Sequence, residues 1–177
     1  MVNYRLSSKY SLLLPRKEII KNINRAQLSI DILCGELGLF ADNPSDFMDA
    51  IKTFISKKNS KLQLAFYANN EESVKHSINS NTGFFRIVSE IPKEKLKSIK
   101  LYLIPFRSRR HYVIIDNHST FIEGGHLPLQ HRDLYCFVEN IKVANEWTSK
   151  YLKMIQNPKV KEIFIEEIIS DNLKDTD

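Results

Sequence analysis

The chain has 177 residues, of which 42% are apolar and 27% charged, and a formal net charge of +5. That length suits one domain, residues 1–177 with a core over about 15–156, and can bury that core without disulfide or metal staples. The composition excludes a largely disordered chain, leaving only the polar tail from 170 to 177 set apart. No apolar run approaches the roughly 18 residues that a membrane-spanning helix needs, and no cleavage-like leader opens the chain. The two cysteines, Cys34 and Cys136, have no second cysteine at metal spacing and sit in apolar runs. They are expected to be buried, reduced thiols in a cytoplasmic protein. The positive charge favours an anionic partner, although a lysine-rich surface also serves solubility alone.

In chain order, Pro15 marks a helix start, and Ile19, Ile20, Ile23 and Ala26 follow at helical spacing, predicting a helix over about 16–26. Leu28 to Cys34 alternates and then becomes continuously apolar, as a strand buried on both faces does. Asn43-Pro44-Ser45-Asp46 signals a second helix, with Phe47, Met48, Ile51, Phe54 and Ile55 as its stripe and an end near Asn59. A strand follows over 61–68, then a short helix opened by Asn69 and Asn70, a loop over 80–83, and a helix near 93–97 after Pro92. Strands are expected over 99–104, 111–115, 119–123 and 134–138, the middle two joined by a turn at Asp116-Asn117-His118. A helix over 141–156 carries Val143, Trp147, Tyr151, Met154 and Ile155 inward, and a last helix is expected over about 158–169. The early alternation of strand and helix predicts an α/β fold with a mixed, mostly parallel sheet flanked by helices.

Histidine clusters between His111 and His131, close to Arg107, Arg109, Arg110 and Arg132. Strand alternation puts Arg109, His111, Val113 and Ile115 on one face and Arg110, Tyr112 and Ile114 on the other. Arg109 and His111 side by side can hold an anion through a guanidinium fork and a ring N–H; equally, they are polar residues reaching water from a strand end. Metal binding by His111, His118, His126 and His131 is disfavoured, because no helical His pair and no carboxylate at ligand spacing accompanies them. There is no G-x-S-x-G for a nucleophilic serine. Gly124-Gly125 permits close backbone approach to a phosphate or simply makes a turn. No cofactor is implied.

The pattern around Asp116 resembles the phospholipase D superfamily motif H-x-K-x4-D-x6-G-[GST], which lies on a strand, a turn and a returning strand. With Asp116 as anchor, Arg109 stands where the family has His and His111 where it has Lys, and Gly124-Gly125 comes one residue late. The opening helix and Leu28-Ser29-Ile30-Asp31-Ile32 are also similar to the family's first helix and strand. The resemblance spans roughly residues 15–156 and implies a single repeat. In the family, two copies of the motif meet across a two-fold axis, one His attacking phosphorus and the other protonating the leaving group, so half-size members pair as homodimers.

Arginine stays protonated and cannot be that nucleophile. Moving the register to make His111 the nucleophile puts Val113 at the Lys position and His118 at the Asp position. The resemblance therefore implies a catalytically silent member, a pseudoenzyme with a degenerate motif. It would bind a phosphate-containing ligand such as nucleic acid, through Arg109, His111, Arg110, Glu123 and His126, or mediate protein interaction and assembly. The alternative is a phosphodiesterase or nuclease that uses His111 in a shared dimer site. A membrane surface is disfavoured, since the expected helix at 158–169 sets Glu162, Glu166 and Glu167 beside its apolar face.

Overall fold

The computed structural model describes residues 1–8, 13–35, 45–67, 88–106, 110–123 and 132–166. The chain opens with β1 (Val2–Ser8), α1 (Leu13–Arg25), β2 (Ser29–Cys34), α2 (Ser45–Ser56) and β3 (Lys61–Tyr67). A short α3 (Lys93–Leu96) leads into β4 (Ile99–Ile104), β5 (His111–Ile115), β6 (Ser119–Glu123) and β7 (Arg132–Val138). The described chain finishes with α4 (Ile141–Ile155) and β8 (Lys161–Ile163). The strands form one sheet in the order β1-β7-β6-β5-β2-β3-β4-β8.

Helices cover both faces. On one face α1 and α2 press Ile19, Ile23, Phe47, Ile51 and Phe54 onto Ile32, Leu64, Leu101, Val113 and Phe121. On the other, α4 packs Tyr151, Trp147 and Met154 against Leu33, Ala65, Tyr112 and Ile114. Tyr112 meets Trp147 edge-on at 4.9 Å and Tyr151 at 6.3 Å between ring centroids, the T-shaped geometry that aromatic quadrupoles favour. β2 is buried along almost its whole length because it is covered on both faces, as its continuous apolar run predicts. Cys34 and Cys136 are both buried thiols outside any disulfide, and burial pushes the Cys136 thiol up to about 12.

The sheet corrects the expected strand directions. Only β2–β3 and β3–β4 run parallel; β1–β7, β7–β6, β6–β5, β5–β2 and β4–β8 are antiparallel. Early strand–helix alternation does build the parallel centre, but the hairpin strands join β2 on its other side. Two strands were also not expected. β1 pairs along β7 from Val2↔Val138 to Ser8↔Arg132, so the sheet reaches beyond the expected 15–156 core. Its alternation of Val2, Tyr4 and Leu6 with polar residues is a legible period-two signal. At the other edge, the expected helix over 158–169 is instead β8, with helical backbone starting only at 165. β8 pairs Ile163 with Leu101 and Lys161 with Leu103, so capping the exposed edge of β4 wins over helix propensity in this short stretch. Phe164 is 55% exposed, and Glu162 pairs with Lys100 at 3.0 Å. Glu162, expected on an acidic helix that would avoid lipid, lies on a strand instead. The expected short helix after Asn69 and the loop over 80–83 lie outside the described residues.

Tyr151 sits at the centre of the α4 face with no exposed surface, and its hydroxyl has no hydrogen-bond partner among the described residues. A buried unmet hydroxyl costs free energy that the ring's packing must offset. Tyr151→Phe, which keeps the ring, is expected to raise unfolding stability by about 1 kcal/mol. Urea unfolding checks this: a higher midpoint at unchanged slope is the expected result, and a lower midpoint would show that the hydroxyl has a partner after all.

Candidate functional site

The site lies at the carboxyl ends of the parallel strands β2 and β3, where open α/β sheets commonly bind ligands. β5 runs antiparallel to β2 in the register Leu33↔Tyr112, which sets His111 beside the end of β2. β6 then places Glu123 directly opposite His111. Both side chains point to the face that carries Val113 and Phe121, and they are 20% and 18% exposed. Nδ1 of His111 lies 3.3 Å from Oε2 of Glu123. Directly opposed residues of an antiparallel pair stand close enough for such a contact, so the pair follows from register alone.

Gly35, just past β2, is the floor under the imidazole. A Cβ placed there would sit 3.4 Å from both Cε1 and Nε2 of His111, tight contact at the limit of ordinary packing. The absence of a side chain at Gly35 therefore lets the ring lie against the strand end. The carboxylate can accept from Nδ1–H and so fix the ring's orientation, which suits the imidazole either to hold an anion or to act as a base.

Arg110 is exposed and shares its strand face with Tyr112, opposite to His111, so the two do not converge on one ligand from the same face. Arg107, Arg109, Gly124, Gly125, His126 and His131 lie outside the described residues, and for Arg132 only the backbone is described. His118 is at the far end of β5 from His111, in the β5–β6 turn. No group of His, Cys, Asp and Glu suited to a metal occurs among the described residues.

The turn holds what the motif's Asp does here. Asp116 (φ 49) and Asn117 (φ 54) are both left-handed, as a type I′ hairpin turn requires, and His118 N–H donates to Ile115 O at 3.0 Å. Asp116 thereby reaches back to the link between α1 and β2. It accepts from the backbone N–H groups of Gln27 and Leu28, each at 2.7 Å, and of Ser29 at 2.8 Å. The motif's acidic position is a bracket between the hairpin and the first strand, far from His111. The contact of His118 Nδ1 with Ser119 Oγ at 2.8 Å, with Asp116 Oδ2 3.9 Å from Nε2, has the residue types of a serine triad but not its function. Ser119 is fully buried, and its Oγ already accepts from Glu139 N–H at 3.1 Å.

Two residues carry no sign of their roles in the sequence. Gly35 is one, since its closeness to His111 needs the β2–β5 pairing. Asp31 is the other, on the opposite sheet face, a carboxyl 7% exposed beneath α4 and accepting from Gln63 Nε2 at 2.8 Å. Burial pushes its pKa up to about 6.

No protein-family model matches the chain, and no curated protein matches it. Solved structures do. NucT from Helicobacter pylori aligns with a TM-score of 0.60 at 17% identity, over 88% of this chain and 96% of that one. Nuc from Salmonella typhimurium, a phospholipase D family member, aligns with a TM-score of 0.60 at 12% identity, over 92% of this chain and 99% of that one. An archaeal chromatin protein whose structure shows a novel mode of DNA binding aligns with a TM-score of 0.59 at 15% identity over 86% of this chain. The chain spans about half, 51%, of that protein's length. At these identities the likeness is one of fold. The chain has the phospholipase D fold.

Proposed function

We propose that this chain is a phospholipase D-like module that binds a phosphodiester of nucleic acid at the carboxyl end of its sheet, works as a homodimer, and does not cleave its ligand. The observation that carries the reading is the placement of His111. It is held by Glu123 over Gly35, on the strand where the family's motif lies, in a fold shared with a DNA-binding chromatin protein. Arg109, at the position of the family's His, supplies a permanent cation suited to a phosphate. It cannot accept a proton, which is why binding rather than turnover is the expected outcome. The homodimer follows from the resemblance, in which a single repeat completes its cleft with a second copy.

A dinucleotide phosphodiester probes this site alone. Adding it is expected to shift the His111 ring signals in a nuclear magnetic resonance spectrum, and Arg109→Ala to weaken binding by about tenfold, the worth of one charge-assisted hydrogen-bonded contact. Unchanged affinity in both Arg109→Ala and His111→Ala would overturn the reading. A second reading, a phosphodiesterase, draws on the His111–Glu123 pair, in which the carboxylate orients the imidazole as it would a nucleophile or base. Hydrolysis of bis-p-nitrophenyl phosphate that His111→Ala abolishes would establish that reading in place of the first.

A further inference from the structure

We infer that the opposite end of the sheet carries a second nucleic-acid contact, a basic surface that holds the phosphate backbone without reading sequence. Residues distant in the chain meet there. Lys57 Nζ donates to Ala26 O and to Asn24 O, joining the end of α2 to the end of α1. Lys61 N–H donates to Leu28 O at 2.9 Å and Leu62 N–H to Ser98 O at 2.8 Å, which brings in the start of β3 and the segment before β4. Lys95 Nζ donates to Lys57 O at 2.8 Å, fixing α3 onto the same end. Arg25, Lys58, Lys61, Lys93 and Lys97 are thereby gathered onto one exposed surface.

Lysines at helix C-termini often do no more than complement the helix dipole and its unmet carbonyls. Lys57 and Lys95 have that role here, as their carbonyl contacts show. Arg25, Lys58, Lys61, Lys93 and Lys97 do not share it. None of them makes an ion pair among the described residues, whereas Lys21, Lys52, Lys100 and Lys150 elsewhere are each set against a glutamate. Glu94 is the acidic residue interspersed among them; the nearby Asp116 carboxylate, 8% exposed, is occupied by backbone N–H groups. The repulsion left in such a cluster is relieved by an anion of extended, repeating charge.

Among the described residues, the large apolar side chain exposed in this region is Leu28, too little for the apolar centre of a protein interface or for insertion into lipid. The surface is separated from His111 by the length of β3, about 20 Å at roughly 3.3 Å per residue. It is therefore not part of the phosphodiester site. The choice of nucleic acid among polyanions rests on the reading proposed above; the surface itself does not.

The test is binding of the full chain to a labelled DNA duplex of about 20 base pairs across a salt series, which counts phosphate contacts. The combined substitution of Lys58, Lys61, Lys93 and Lys97 to Gln is expected to lower the slope of log affinity against log salt by about 3 to 4. A control with the same charge change on and after α4, Lys142, Lys150, Lys153 and Lys159 to Gln, is expected to leave the slope unchanged. In the unmodified protein, the duplex is expected to protect Lys58, Lys61, Lys93 and Lys97 from chemical acetylation, a readout that does not depend on the variant folding. Equal losses in the patch and control variants would reduce the effect to net charge and overturn the proposal. So would absence of lysine protection, or binding to vesicles of anionic lipid with none to the duplex. Loss of dinucleotide binding with duplex binding intact would sink the phosphodiester site and leave this surface standing.

Discussion

Asp116→Ala is expected to lower the unfolding free energy by about 2–4 kcal/mol, one of the two largest effects foreseen for a single substitution in this chain. Hydrogen bonds to a charged acceptor contribute about 1.5–3 kcal/mol each, and they do not add fully when they share one carboxylate. The N–H groups of Gln27 and Leu28 are exposed and regain water when the carboxylate is removed, which pulls the estimate below the sum; that of Ser29 is partly buried and does so less well. The residue also holds a left-handed φ of 49°, which asparagine and aspartate tolerate better than alanine does. Asp116→Asn, which keeps one carbonyl oxygen and the φ preference, should lose about half as much. Denaturant unfolding of both variants gives the comparison. Wild-type stability in Asp116→Ala would mean that the bracket between the hairpin and β2 contributes nothing, and that the acidic position of the motif needs another explanation here.

The second large effect depends on pH. Asp31 meets one side-chain amide, from Gln63, in a setting otherwise made of Tyr102, Tyr112, Tyr151 and Leu33. Burial raises its pKa from the ordinary 3.8 to about 6. The folded state thus binds the proton more tightly than the unfolded chain does. Below about pH 4 the acid is protonated in both states and costs the fold nothing. Between about 4 and 6 the unfolded chain gives up the proton first, and native stability falls as pH rises. Above about 6 the fold carries a buried carboxylate with the full penalty, roughly 2–3 kcal/mol for a shift of this size. Asp31→Asn stays neutral and keeps an oxygen for the Gln63 amide. Its stability relative to wild type is expected to be near zero at pH 4 and to grow by about 2–3 kcal/mol by pH 7. A difference that stays level across that range would show that Asp31 titrates alike in both states.

These two aspartates illustrate how a fold sorts identical residues. One projects from a turn into three backbone donors; the other is carried by strand alternation to the α4 face, where a single amide meets it. Neither fate is visible in the residue type. The turn position was legible for Asp116, since Asp-Asn between two apolar runs marks a hairpin. Its partners lie at Gln27 to Ser29, close in space only because β5 pairs with β2.

What could be read from the chain were features with local causes. The buried run of β2, the stripe of α2, the inner face of α4, the β5–β6 hairpin and the burial of both cysteines all follow from periodicity and turn chemistry. The facing of His111 and Glu123 follows from the hairpin, because alternation and register together set which residues oppose each other. What needed the assembled molecule were relations between distant segments. Strand direction is one: nothing local in β5 says that it will lie antiparallel to β2, and so the mixed sheet, expected to be mostly parallel, is mostly antiparallel. β8 is another, three residues whose state is set by the open edge of β4 rather than by their own propensity. Charge is the last. Arg25, Lys58, Lys61, Lys93 and Lys97 look in sequence like scattered solvated lysines and an arginine, and it is the packing of three helix ends around the start of β3 that makes them one surface.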